Sequence, residues 1–290
     1  MSLFEGVYVA IVTPFTASHE VDYERLEAHA RWLLDEGVHG LVPTGTCGEY
    51  AQLSAEERAR VVETVASVAR GRAPLVVGVA APTTAQVVAW AEHARAQGAA
   101  AVMALPPIGY RASWAEVVAH YRAIGSVGLP IVVYNNPYDT GTDLTPERLH
   151  ALEGVAPVTA VKEFSQDVRR LSEIRERSGM TLIAGADDLV LESMFAGASG
   201  WIAGMANIVP APSLELYDLA AEARWSEAWP LYRRLLPLFR YDTGPRLVQA
   251  IKHGLAVVGR PVGDTRPPRL PLEGEDRATI EAVLATFVPR

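Results

Sequence analysis

Lysine is nearly absent from this 290-residue chain: of 26 basic residues only Lys162 and Lys252 are lysine, and the rest are arginine. Any chemistry that needs a primary amine therefore has two candidates. Cysteine is scarcer still. Cys47 stands alone, which excludes an intramolecular disulfide and a cysteine-built zinc site and agrees with a reducing compartment, the cytoplasm being the natural expectation. The seven histidines offer no HExxH and no pair at i, i+4, so no metal site is expected. No apolar run approaches the ~18 residues of a membrane span. The opening MSLFEGVYVA has neither a basic segment nor a long apolar core, so no targeting segment is expected there. The net charge is −8 with no basic tract, which speaks against a nucleic-acid surface or a polybasic membrane anchor. No GxGxxG follows the first apolar run and no GxxxxGK[ST] occurs, so dinucleotide and P-loop phosphate binding are not indicated. A small-molecule ligand remains.

What is present is a regular alternation. With 49% hydrophobic and 21% charged residues the chain can fill a large core. Eight short apolar runs, at 6–15, 40–45, 74–81, 100–107, 130–137, 158–164, 181–188 and 200–207, are separated by segments of helical period. In 21–37, for example, Leu26, Ala30 and Leu33 follow a 3–4 residue step and Gly37 closes the end. Ser54, Ser113 and Thr145 read as helix caps, the last with proline at the first helical position. Strands this uniformly apolar are covered on both faces, as in a parallel sheet wrapped by helices. Eight βα units without a linker predict an α/β fold, a (β/α)8 TIM barrel over residues 1–208, in preference to an open doubly wound sheet. Residues 209–290 read as a C-terminal helical subdomain packed on the barrel or on another subunit.

A barrel builds its site from the loops at the C-terminal ends of its strands. Lys162 lies late in the sixth run, on the face shared by Val158, Ala160 and Phe164. Burial there disfavours an ammonium ion, which predicts a lowered pKa and an amine free to attack a carbonyl. The alternative is a lysine paired with an acid or reaching solvent. Lys252 falls beside the apolar stripe of a tail helix and reads as structural or interfacial. Tyr134 closes the fifth run, one strand from Lys162, where a phenol can relay protons or simply pack. TGTCGEY places two glycines, Thr46 and the amides of Thr46 and Cys47 where a carboxylate could be held, or forms only a tight turn.

Together, GTCGE after the second run, YNNPYDTG at the fifth, VKE in the sixth and AGADD at the seventh resemble the dihydrodipicolinate synthase/N-acetylneuraminate lyase family. The resemblance spans essentially the whole chain, from VAIVTPF to the helical tail. It implies a class I lyase in which Lys162 forms a Schiff base with the keto carbon of a 2-oxo acid, with no cofactor beyond that covalent imine. It implies further that Tyr134 is the proton relay, that Thr46 supports it, and that the amides of Thr46 and Cys47 hold the C1 carboxylate. Gly185 and Ile202 match positions whose backbone lines the pocket beside the lysine. Family members are typically homotetramers, and this chain is expected to be one.

The departures bear on substrate. Dihydrodipicolinate synthase carries an arginine where this chain has Asp139, so a second substrate carboxylate loses its partner; its GTTGE becomes GTCGE, and its paired tyrosines after the fourth strand correspond to Pro107 and Ile108, with Tyr110 nearby. These changes argue against lysine biosynthesis. The segments YNNPYDTGTDLTPE, VKEFSQDVRR, GPRLVQAIK and RPPRLPL look more like the subgroup that deaminates 1-pyrroline-4-hydroxy-2-carboxylate, a cyclic imino acid, to 2-oxoglutarate semialdehyde. Asn136 and Asp139, able to bind hydroxyls, keep a 2-keto-3-deoxy sugar acid open as substrate. A metabolite-binding barrel without catalysis is the alternative of another class.

Overall fold

The computed structural model describes residues 3–287. All eight apolar runs form parallel strands: β1 Gly6–Val9, β2 Gly40–Leu41, β3 Val76–Gly78, β4 Ala101–Ala104, β5 Ile131–Asn135, β6 Val158–Glu163, β7 Thr181–Ala184 and β8 Gly200–Ala203. The sheet order is β2-β1-β8-β7-β6-β5-β4-β3, and a parallel bridge from Leu41 to Leu75 joins the two ends. The result is a closed (β/α)8 TIM barrel. Each strand is shorter than the run that announced it, because the residues past its C-terminal end stay buried while turning into the loops that build the rim. In β6 the pairing with β5 shifts by one residue at Thr159, which leaves Thr159 exposed and sets Tyr134 opposite Lys162.

Outer helices follow the strands: α1 Tyr23–Asp35, α2 Ala55–Ala69, α3 Thr84–Ala96, α4 Trp114–Gly125, α5 Pro137–Thr140, α6 Pro146–Glu153, α7 Arg169–Arg177, α8 Val190–Phe195 and α9 Pro210–Ala221. Ser54 and Ser113 make full capping boxes with Glu57 and Glu116. Thr145 occupies its cap position, with Pro146 at the first helical position, but its side chain makes no cap bond to the helix amides. Gly37, with φ +98, ends α1 as expected. The tail continues as α10 Trp225–Phe239, α11 Leu247–Val257 and α12 Gly274–Leu284, with α10 packed on α9 and α12 and α11 on α12. No helix among the described residues is long and apolar enough to cross a membrane.

One buried polar hub locks the first and last barrel strands. Asn207 donates to the carbonyls of Ala10 and Gly204, and its Oδ1 accepts from the Val12 amide and from His29 Nε2 of α1 (3.0 Å). Burial holds His29 neutral, lowering its pKa from 6.5 to about 4. An unfolded chain takes up this proton below pH 6.5 and the folded one resists until about pH 4. The stabilisation is thus complete above 6.5 and is lost as pH falls from 6.5 toward 4, by about 3 kcal/mol in all. In urea unfolding at pH 7 and pH 4.5, His29→Gln is expected to lose less stability on acidification than the wild type; an equal loss would contradict this assignment.

Candidate active site

A cleft of about 890 Å³ opens at the C-terminal ends of the strands. Thr46, Cys47, Tyr134, Asn136, Asp139 and Lys162, all nominated from sequence, line it. Gly185 and Ile202, also nominated, are not among its lining residues. A Cβ on Gly185 would lie 3.2 Å from Lys162 Cγ and 2.4 Å from the Glu163 carbonyl oxygen, so glycine there lets β7 close against the lysine stem. Ile202 is buried in β8, in register with Tyr8 of β1.

Lys162 is only 7% exposed, and its Nζ has neither an ion pair nor a hydrogen-bond partner among the described residues. It sits 4.3 Å from the Tyr134 ring centroid, and Phe164 stacks edge-on against that tyrosine. The expectation of a lowered amine pKa is overturned. Burial pulls it down and is the largest single influence, but Tyr134, Asp242, Cys47 and Asp187 together outweigh it, and the direction is up. Burial also raises the Tyr134 phenol, and pushes the Cys47 thiol to about 12, so near neutrality the negative charge that matters to Lys162 lies on the Asp187 and Asp242 pair. The Tyr134 hydroxyl accepts from Asn136 Nδ2 (3.3 Å), and the same amide donates to Asp139 Oδ2 (2.8 Å). Among the described residues the hydroxyl's partner is thus Asn136 rather than Thr46, which lines the same cleft. Ile108 forms part of the wall, while Tyr110 is exposed.

Lys252 has the opposite character. It is equally buried, but its Nζ is paired with Glu49 Oε1 at 2.8 Å and donates to the Asp264 carbonyl. Burial lowers its pKa to about 8 against that pairing. Glu49 also meets Arg269 at 3.3 Å, and Arg266 grips Glu57 through both guanidinium nitrogens. These contacts clamp the segment after α11 over the GTCGE loop. That loop is bracketed by two non-glycine residues in the left-handed region, Thr44 (φ 57) and Glu49 (φ 54). Thr44 is held by its hydroxyl on the Gly78 carbonyl, and Glu49 by the two cations. Lys252 is therefore structural.

Sequence reasoning missed the residues that the C-terminal helices bring to the cleft: Asp242, Thr243, Leu247 and Arg269. Nothing in their spacing marks them, since they enter from a turn, the first residue of α11 and a strap far along the chain. Asp187 was in view only as part of AGADD. Its buried carboxylate accepts from Trp201 Nε1 (2.8 Å) and from the amides of Gly204 and Met205. No group of three or more His, Cys, Asp or Glu able to hold a metal ion occurs among the described residues.

Comparison with known proteins agrees with this architecture. Residues 3–287 match the Dihydrodipicolinate synthetase family. The chain is 35% identical over 289 residues to an uncharacterised DapA-like lyase of Halobacterium salinarum, covering 97% of this chain and 93% of that one. It is 33% identical over 287 residues to the 4-hydroxy-tetrahydrodipicolinate synthase of Methanocaldococcus jannaschii, covering 97% and 98%. Among solved structures, a dihydrodipicolinate synthase superposes with a TM-score of 0.94 at 32% identity, covering 98% of this chain and 99% of that one. A putative dihydrodipicolinate synthetase from Pseudomonas aeruginosa does so with a TM-score of 0.93 at 34% identity, covering 97% and 98%. The chain belongs to the dihydrodipicolinate synthetase family.

Proposed function

We propose that this protein is a Schiff-base-forming lyase that takes a small 2-oxo or cyclic imino acid onto Lys162, and that its substrate is 1-pyrroline-4-hydroxy-2-carboxylate. The observation that carries the reading is Lys162 itself, buried at the end of β6 in the cleft with no carboxylate paired to it. A buried cation that serves stability is normally neutralised, as Lys252 is; an unpaired one facing a cavity is a group kept for chemistry. Once the amine has added to C2, the protonated imine withdraws electrons from C3 and permits elimination or carbon–carbon cleavage. Tyr134, whose hydroxyl accepts from Asn136, would move the proton of the oxygen or nitrogen displaced from C2. Amides at Thr46 and Cys47 would hold the carboxylate at C1.

The substrate assignment is supported by Asp139. Its carboxylate lines the cleft where the synthase carries an arginine, so the wall suits a hydroxyl or a ring nitrogen better than a second carboxylate. In this reading Lys162 adds to the ring C=N and the ring nitrogen leaves C2 as the C5 amine; the C3 proton and the C4 hydroxyl leave as water; a proton shift from C5 to C3 turns the new C3=C4 bond into a C5 imine, whose hydrolysis releases ammonia; and hydrolysis of the C2 imine frees Lys162 and 2-oxoglutarate semialdehyde. A 2-keto-3-deoxy sugar acid is the second reading, favoured by the polar pair of Asn136 and Asp139 on the same wall.

Borohydride added with pyruvate is expected to leave a reduced adduct on Lys162, located by mass spectrometry, and none in Lys162→Ala; an adduct on Lys252 alone, or on neither lysine, contradicts the assignment. In a substrate panel, ammonia release without pyruvate is the expected signature, and pyruvate release without ammonia selects the sugar-acid reading. Tyr134→Phe is expected to lower kcat on the accepted substrate by about 10²-fold or more, with the circular dichroism spectrum unchanged; wild-type kcat in this variant would remove Tyr134 from the reaction.

A further inference from the structure

Lys162 has neighbours on two sides. On one, β5 presents Tyr134. On the other, past the ends of β7 and β8, lies a carboxyl group that comes from outside the barrel altogether. Asp242 sits in the turn between α10 and α11, is 6% exposed, and lines the cleft together with Lys162, Tyr134 and Cys47. Its Oδ2 accepts the Asp187 amide at 2.9 Å, while its Oδ1 has no hydrogen-bond partner among the described residues. That free oxygen lies over Gly204: a Cβ there would be 2.8 Å from it and 3.6 Å from Asp187 Oδ2. Glycine at 204 thus keeps open the gap in which the two carboxyl groups converge, at the wall of the cleft that Lys162 also lines.

The two carboxyl groups are unequally supported. Asp187 is held by three N–H groups, from Trp201, Gly204 and Met205, whereas Asp242 receives one. Carboxylates this close in a dry site do not both ionise freely, and the less supported one takes the proton more readily. Burial and Asp187 accordingly raise Asp242 well above an ordinary carboxyl, while Lys162 opposes that shift. A carboxylate of raised basicity beside a cation, with one oxygen unengaged and turned to a cavity, is suited to taking a proton from carbon and returning it.

We propose that Asp242 is the acid–base group that removes and restores the C3 proton of the substrate held on Lys162, working from the side opposite Tyr134. This rests on the imine at Lys162 proposed above. In the forward step Asp242 Oδ1 takes the C3 proton. The C–H electron pair becomes the C2=C3 bond, the C2=N π pair moves onto nitrogen, and the cationic imine becomes a neutral enamine beside a neutral carboxyl. Reprotonation runs the same step backward, with no other reactant needed.

Pyruvate in D2O tests this step apart from imine formation. Exchange of its methyl protons is followed by proton NMR, and borohydride trapping is run in parallel. The wild type is expected to do both. Asp242→Asn is expected to trap pyruvate on Lys162 as the wild type does while its exchange falls by about 10²-fold or more, and Asp242→Glu to recover part of that exchange. Undiminished exchange in Asp242→Asn, or trapping and exchange lost together in a folded variant, overturns the assignment. Should Asp242→Asn fail to fold, Asp242→Ser is read on the same two assays with the same outcomes. A wild type that leaves no adduct on Lys162 overturns the lysine reading, and this one with it; an adduct with unchanged exchange in the variant overturns this one alone.

Discussion

The carboxylate of Asp187 is the constraint on which the rim of the barrel depends. It draws in the indole of Trp201 and the amides of Gly204 and Met205, and its own amide anchors Asp242. The end of β7, the end of β8 and the turn between α10 and α11 thus meet at one buried group. A buried carboxylate is tolerated only when its oxygens are satisfied, and satisfying this one fixes three segments relative to each other. The C-terminal helices are consequently part of the site, since they deliver Asp242, Thr243 and Arg269 to the cleft.

The two lysines show how pairing separates structure from chemistry. Lys252 and Glu49 form a fully buried ion pair, extended by Arg269, which holds the left-handed turn at Glu49 and the strap above it. Removing one partner of such a pair costs about 3–5 kcal/mol, because the other is left buried and charged. Lys162 is just as buried but has aromatic rings over its nitrogen and no ion-pair partner among the described residues, while the charge of the aspartates still reaches it. Its amine is therefore not freed by burial alone. The aspartates favour the cation, which in the proposed reaction suits the iminium that follows attack better than the amine that precedes it.

Much of this was legible in the sequence, for physical reasons that can be named. The barrel was readable because parallel strands covered on both faces must be apolar throughout, and eight such runs spaced by helices have few other solutions. Lys162 and Tyr134 stood out because strand ends in a barrel are where polar residues interrupt apolar runs, and the structure sets the two directly opposite each other. Other features depend on what the chain brings near from a distance. The upward shift of Lys162 comes from Asp242, 80 positions along the chain, and from Asp187, neither of which its own strand reveals. The shift in β6 at Thr159 is a property of the pair of strands rather than of either sequence. Thr145 looks like a cap by residue type, yet its side chain makes no cap bond, which residue type alone does not reveal.

The central claim is that Lys162 holds the substrate between Tyr134 and Asp242. A crystal structure of the borohydride-reduced pyruvate adduct tests it most directly. The account predicts a covalent link from Lys162 Nζ to C2, the carboxylate on the amides of Thr46 and Cys47, and C3 directed at Asp242 Oδ1. A link at Lys252, or C3 turned away from Asp242 toward Tyr134, would contradict it.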